Sequence, residues 1–296
     1  MPRARKTEEQ RGNQDPFGDL GSFFEWWLSA GVLKGEASRV FEDYYSNYVK
    51  EFEGYLRQTW VDRHVELEQA LDALGERRRA KVLDLGCGTG TVSLYCALKL
   101  GDRAEVLGVD IKEKRLACAR ERQAVLEKKF GRRLPCKFEL ADVRDLASER
   151  QFDLIYLEEA LHHMEPRLAV CQRIADLLGT GGMLIISEVN AFNPFIQGWF
   201  LGKRGFQTIK ENRAPKGQKI PYGNERILTA NRVIRLFRIQ GVRLRSVRYF
   251  RIANMGVGKV ADDRRINLMK LEKAFCRVPF LPSLLAIHYN VVLSKA

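Results

Sequence analysis

The sequence predicts an α/β fold: a doubly wound, mostly parallel sheet of seven strands whose last strand is antiparallel. Three observations carry that prediction. From residue 81 onward, short apolar runs alternate with amphipathic helical stretches. A glycine-rich turn ends the first of those runs, and two apolar runs near the end of the chain are placed to pair at one edge.

Val82-Leu83-Asp84-Leu85 reads as a buried strand, followed by Gly86-Cys87-Gly88-Thr89-Gly90 and a helix over 92–100. Strands at 105–110, 136–140, 152–157 and 183–188 follow, with helices at 114–129 and 167–178 among them. Helices of that length between strands are crossovers, which make neighbouring strands parallel. Residues 190–228 are rich in Gly, Pro, Asn and basic side chains and break the alternation. They are too long for an ordinary connection and are expected to form a lid after the fifth strand. A helix over 229–240 comes next, capped by Thr229 and stopped by Gly241. A strand at 242–252, a second insertion at 253–284 and a last strand at 286–295 complete the domain of 77–296. Ahead of it, residues 21–76 carry Phe23, Trp26, Trp27, Phe41, Tyr44, Tyr45 and Tyr48 at helical spacing and predict a helical N-terminal cap. The helical period over 61–74 predicts one further helix there. The polar residues 1–20 read as a disordered tail.

With 296 residues, 45% of them apolar and 29% charged, the chain has the composition of an ordinary globular protein. No apolar run approaches the roughly 18 residues of a membrane span. The first residues lack the apolar core of a secretory signal, and Glu8, Glu9 and Asp15 do not suit an amphipathic targeting peptide. Cys87, Cys96, Cys118, Cys136, Cys171 and Cys276 form no C-x-x-C pair and only four histidines accompany them, so no metal site is expected. Scattered free thiols predict a cytoplasmic protein. The net charge of +13 is uneven: 199–251 holds fourteen Lys and Arg against Glu211 and Glu225. That excess suits an anionic partner or an anionic membrane surface, or else a solvated face.

The string Asp84-Leu85-Gly86-Cys87-Gly88-Thr89-Gly90 resembles the D-x-G-x-G-x-G loop of the class I S-adenosylmethionine-dependent methyltransferases, which have a Rossmann-like sheet. A dinucleotide-binding G-x-G-x-x-G/A loop would need a third small residue where Thr91 stands. The resemblance runs through 81–188 and is nearest to the ubiquinone/menaquinone and small-molecule members. It implies S-adenosylmethionine as cofactor, with Asp84, Gly86, Cys87, Gly88 and Gly90 around its amino-acid part. It further implies Asp110 on the ribose hydroxyls, Ile111 on the adenine face, and Asp142 and Val143 at the adenine edge. One ionised carboxylate is well suited to accept from two vicinal hydroxyls. The cap's Tyr45 or, preferred here, Tyr48 is expected to fold over the cofactor, with core packing as the alternative.

In such relatives the segment after the fourth strand, here Glu158-Glu159-Ala160-Leu161-His162-His163, reaches the methyl group. The [DN]-P-P-[FYW] motif of many base-amine methylases is absent there. His162 and His163 are candidate proton acceptors, or else pack the next helix onto the sheet. Glu158 is expected to touch the cofactor or frame the pocket, and Glu188 and Asn190 to touch substrate.

The lid interleaves Phe192, Phe195, Ile196, Trp199, Phe200 and Phe206 with Lys203 and Arg204, and the second insertion adds Phe280, Leu281 and Leu284. Apolar bulk beside cations suits an acceptor with an apolar body and an anionic head, or a shallow membrane contact, with Trp199 as substrate contact. The expectation is methylation of oxygen or carbon on a hydrophobic, lipid-linked or anionic small molecule. Two alternatives stand beside it: an RNA methyltransferase using the basic stretch, and a non-catalytic cofactor-binding protein.

Overall fold

A computed structural model describes residues 16–252 except 50–51, 77–78, 148, 214–216 and 218, together with 270, 272, 274, 275, 278 and 280–296. The first fifteen residues of the expected tail, most of the second insertion and the sixth cysteine, Cys276, lie outside the described residues.

Among the described residues, the helices ahead of the sheet are α1 (Leu20–Ser29), α2 (Gly35–Tyr44), the single turn α3 (Ser46–Val49), α4 (Gly54–Arg63) and α5 (Val65–Leu74). Asp19 caps α1, its carboxylate accepting from Ser22 N at 2.7 Å. Phe17 and Leu20, within the expected tail, are packed: Phe17 lies edge-on to Phe23 and Phe130, and Leu20 is buried. The helix expected over 61–74 is broken at His64, which has φ −101° and ψ 7°. That break matters for the site, because it turns Arg63 and His64 toward the sheet.

The alternating portion runs β1 (Ala80–Leu85), α6 (Thr91–Leu100), β2 (Ala104–Asp110), α7 (Glu113–Phe130), β3 (Cys136–Leu140), β4 (Phe152–Glu158), α8 (Arg167–Leu177) and β5 (Leu178–Val189). The lid, assigned no elements from sequence, contains α9 (Pro194–Arg204) and a hairpin of β6 (Ile209–Arg213) and β7 (Lys219–Gly223). Asn193 caps α9, with Pro194 in the first helical turn where its missing N–H costs nothing. Then come α10 (Ala230–Arg238), capped by Thr229 as expected, β8 (Val242–Phe250), the short α11 (Leu281–Leu285) and β9 (His288–Lys295).

The main sheet has the order β3-β2-β1-β4-β5-β9-β8, and β9 runs antiparallel to both of its neighbours. Side chains alternate across it, so two cores form. Val82, Leu154, Tyr156, Ile185 and Val292 join the aromatic cluster under the cap helices and α6. Leu83, Ile155, Leu184, Ile186 and Val291 join the cluster under α8 and α10. Fully buried side chains of this kind contribute roughly 1.5–3 kcal/mol each, which fixes the strand register. Because the chain steps outward from β1 to β2 and β3 and then returns to β4, a crevice opens at the carboxyl ends of β1, β2 and β4.

Candidate active site

The loop after β1 bends through three glycines with positive φ: Gly86 at 81°, Gly88 at 54° and Gly90 at 79°. A Cβ on Gly86 would sit 2.7 Å from Ala160 Cβ, so only glycine lets this turn approach the end of β4. Gly86 N and Cys87 N both donate to Val109 O, at 2.7 and 3.0 Å, pinning the turn to β2. Gly88 N donates to Asp110 Oδ2 at 3.0 Å, and Lys112 N to Asp110 Oδ1 at 2.8 Å. Each carboxylate oxygen of the buried Asp110 keeps capacity for another donor. Asp84 is also buried and accepts from Ser93 Oγ at 2.6 Å; burial pushes its carboxyl up to about 7.

Asp84, Gly86, Cys87, Asp110, Ile111, Asp142 and Val143 all line one cavity of about 1050 Å³. The acceptor set fits S-adenosylmethionine: two buried acids on adjacent strands could accept from a cationic amine and a diol, with Ile111 and Val143 as apolar walls. Asp142 is partly committed, since the Arg144 guanidinium binds both of its oxygens at 2.8 and 2.9 Å. Gly88 and Gly90, expected beside the cofactor, are not among the residues lining this cavity: Tyr44 covers Gly88, and a Cβ on Gly90 would meet Ala119 and Phe138 at 2.8 Å. Their conformational freedom serves the loop's shape and its packing on α7 and β3.

The cap closes the cavity from the other side. Tyr44, Tyr45 and Tyr48 all line it, with Tyr45 Oη donating to Thr91 Oγ1 at 2.7 Å. Arg122 of α7 lies fully buried between the Trp27 and Phe41 rings, 4.3 and 4.8 Å from their centroids. It donates to Thr89 O at 2.8 Å and Thr91 Oγ1 at 2.7 Å, tying the loop to the cap. Burial lowers its pKa to about 10, so it stays charged at neutral pH.

At the end of β4, Glu158 accepts from Arg63 at 2.7 Å and pairs with His64 Nε2 at 3.0 Å. Burial would raise this carboxyl, but His64 and Arg63 prevail and hold it at about 2. Glu158 lies on the cavity wall, yet its oxygens are taken by the cap. Its neighbour Glu159, at φ 46°, accepts from the same guanidinium at 2.8 Å and pairs with His288 Nε2 at 3.0 Å.

Both histidines of the following 3₁₀ turn line the cavity. His162 Nδ1 lies 2.6 Å from Glu188 Oε2, so the carboxylate holds the proton on Nδ1 and leaves a lone pair on Nε2. Burial depresses the His162 pKa, but the Glu188 charge outweighs it and raises it. His163 Nδ1 donates to Gly223 O at 2.8 Å while its ring stacks on Tyr222, and burial with the nearby His162 lowers it to about 4. Glu188 and Asn190, expected to touch substrate, do not line the cavity. Glu188 is buried behind His162, and Asn190 spends its amide on Ser283 O and Ala286 O at 2.8 and 2.9 Å.

The far wall belongs to the lid. Ile196, Trp199, Phe200 and Lys203 of α9 line the cavity, with Ile220 and Tyr222 of β7. The large apolar residues of the lid divide: Ile196 and Phe200 pack with Val189, Ile227 and Ile287, whereas Phe192, Phe195, Trp199 and Phe206 are exposed. Sequence reading missed Arg63, His64, Tyr222 and Glu225. Arg63 and His64 sit at a helix break hidden within a continuous helical period, and Tyr222 and Glu225 belong to the lid, to which the sequence assigned no elements.

The methyltransferase domain family matches residues 76–241, more than half of the chain. Methyltransferase GfsG of Streptomyces halstedii is 33% identical over 41% of this chain and 42% of its own length. The ubiquinone biosynthesis O-methyltransferase of Stutzerimonas stutzeri is 30% identical over 47% and 52%. The chain thus spans about half the length of the curated relatives it matches. In fold it resembles the magnesium protoporphyrin IX methyltransferase of Synechocystis with bound SAH, at TM-score 0.54 and 16% identity over 94% of this chain and all of that one. With the glycine loop, its two buried acids and the sheet order in place, the chain belongs to the methyltransferase domain family, and its cavity offers the acceptors that S-adenosylmethionine would need.

Proposed function

We propose that this protein transfers a methyl group to an oxygen of a hydrophobic, anionic small molecule, lipid-linked or prenylated. The observation that carries this reading is the continuity of one cavity. It runs from Asp84 and Asp110, past His162, to the apolar lid wall of Ile196, Trp199 and Phe200 with Lys203 at its edge. A relative named for ubiquinone biosynthesis and O-methylation supports the same acceptor class.

S-adenosylmethionine supplies a methyl group already activated on a sulfonium. The chain's own residues must align the acceptor, exclude water and take the acceptor's proton. His162 is suited to proton removal, because its Nε2 lone pair can accept from the hydroxyl and Glu188 stabilises the imidazolium that results. Exposed Phe192, Phe195, Trp199 and Phe206, with Lys203 and Arg204 close in sequence, support a peripheral contact with an anionic membrane. Among the described residues, no helix is long and apolar enough to cross a membrane.

The RNA alternative has less support. Basic residues of 199–251 are spread over α9, the lid hairpin, α10 and β8, and Arg226 and Arg248 are engaged by Glu165 and Glu66. Incubating the protein with methyl-labelled cofactor and fractionated cell extract tests the assignment. Label in the lipid-soluble fraction is expected. Label in RNA alone would replace this reading, and none in any fraction would favour the non-catalytic alternative.

A further inference from the structure

We propose that His162, His163 and Glu225 form a binding site for a divalent transition-metal ion on the acceptor side of the cavity. One ligand atom from each of the three lies within 4.8 Å of the others. The two imidazoles are 4.0 Å apart, and His162 Nε2 is 3.7 Å from Glu225 Oε2. Sequence spacing gives no hint of this set, because Glu225 is delivered by the lid segment between β7 and α10.

The arrangement around the three residues is what distinguishes them from a chance cluster. Each histidine has its Nδ1 engaged, His162 by the Glu188 carboxylate at 2.6 Å and His163 by Gly223 O at 2.8 Å. Both Nδ1 atoms therefore carry a proton, and in the neutral rings both Nε2 atoms present lone pairs. A carboxylate or carbonyl behind each imidazole is the arrangement that orients metal-ligating histidines and raises their basicity. The third member, Glu225, is acceptor-only when ionised. Three acceptors thus converge with no donor among them, which disfavours the cluster unless a cation or proton sits between them. Glu225 also adopts φ 50°, a left-handed conformation that is unfavourable for a non-glycine residue and is held by its surroundings.

Two imidazoles and one carboxylate suit Zn²⁺, Co²⁺, Ni²⁺ or Fe²⁺ better than the oxygen-seeking Mg²⁺ or Ca²⁺. Bonds of about 2.0–2.2 Å would draw the three atoms together by roughly 1 Å, within the reach of side-chain rotation. The partly exposed Glu225 is the member free to make most of that movement. Three protein ligands leave at least one coordination position facing the cavity.

The consequence for turnover rests on the proposed role of His162 as proton acceptor. Its Nε2 has one lone pair, so metal binding and proton acceptance exclude each other. Loading the site is then expected to inhibit methyl transfer, making it a regulatory site within the acceptor pocket.

Titration of tag-free full-length protein with Co²⁺, followed by its visible absorption, tests the site without reference to activity. The expected result is one equivalent bound with the intense bands of a four- or five-coordinate ion, displaced by Zn²⁺. His163→Ala and Glu225→Ala should each weaken binding by more than roughly tenfold. No bound-ion spectrum, or equal binding by the Glu225→Ala, His163→Ala double variant, overturns the site. Circular dichroism of the variants, and their binding of the cofactor's demethylated product, separate a lost ligand from a lost fold. Binding at the site with undiminished methyl transfer would leave the metal site standing and remove His162 as the base.

Discussion

The two ends of the cavity are built differently. At the cofactor end, the polar groups belong to strand termini and the turns directly after them, and most are buried and already hydrogen-bonded: Asp84 to Ser93, Asp110 to Gly88 and Lys112. At the acceptor end, the wall comes from a lid helix and a hairpin that contribute exposed aromatics and cations, with Ile196, Phe200 and Ile220 buried as anchors. A shared cofactor demands a preorganised, locally encoded site. An acceptor with apolar bulk demands surface that is covered only when it binds.

From this division, substitutions at the middle are expected to be the most damaging and those at the lid rim the mildest. His162→Gln is expected to lower kcat by roughly 10²–10⁴-fold, the usual worth of a positioned base, with cofactor affinity nearly unchanged by calorimetry. A variant that turns over normally would take the proton acceptor away from His162. At the cofactor end, Asp110→Ala should remove two hydrogen bonds to a charged acceptor and weaken cofactor binding by about 2–4 kcal/mol, with the loop also loosened at Gly88. Unchanged affinity would mean that the cavity's polar floor is not where the ribose lies.

Arg63→Met probes the joint between cap and sheet. Glu158 would keep His64 and the longer bond from Tyr156 Oη, and breaking a largely buried pair costs about 3 kcal/mol, discounted here because Glu159 is partly exposed. Urea unfolding measures that loss. In the wild type, Glu158's contribution is present above the unfolded carboxyl range and is lost as pH falls toward about 2, since its folded pKa is depressed.

A gentler effect is expected from pH at the cofactor end. Asp84 titrates near 7 because of burial, so a bound cationic amine should favour its ionised form. Cofactor affinity should then rise as pH increases through about 7, with proton uptake by the buffer on binding, and Asp84→Asn should flatten that rise. A wild-type profile flat between pH 6 and 8, as roughly one pH unit on either side of that value, would rule out this coupling. Smallest of all, Trp199→Ala with Phe195→Ala should raise the acceptor KM and weaken binding to anionic vesicles several-fold, by about 1–2 kcal/mol, leaving cofactor affinity intact. Phe200 is unsuited to that test, because it is buried in the lid's own core.

What the sequence determined by itself was the periodic and the local. Strand and helix order, the parallel sheet, the edge closed by the antiparallel last strand and the D-x-G-x-G-x-G bend were all legible, because side-chain period and glycine placement are written within a few residues. Asp84, Asp110 and Asp142 were implied by the family resemblance of their motifs, and all three line the cavity.

Only the tertiary structure decided which groups meet across the chain. It committed Glu158 to Arg63 and His64, put Glu188 behind His162 rather than against the acceptor, and turned Asn190 inward to the backbone before β9. It also brought Glu225 from the lid to the two histidines. These pairings depend on where a helix breaks and how a lid folds back. Such geometry is set by packing over long chain separations, which residue spacing does not encode.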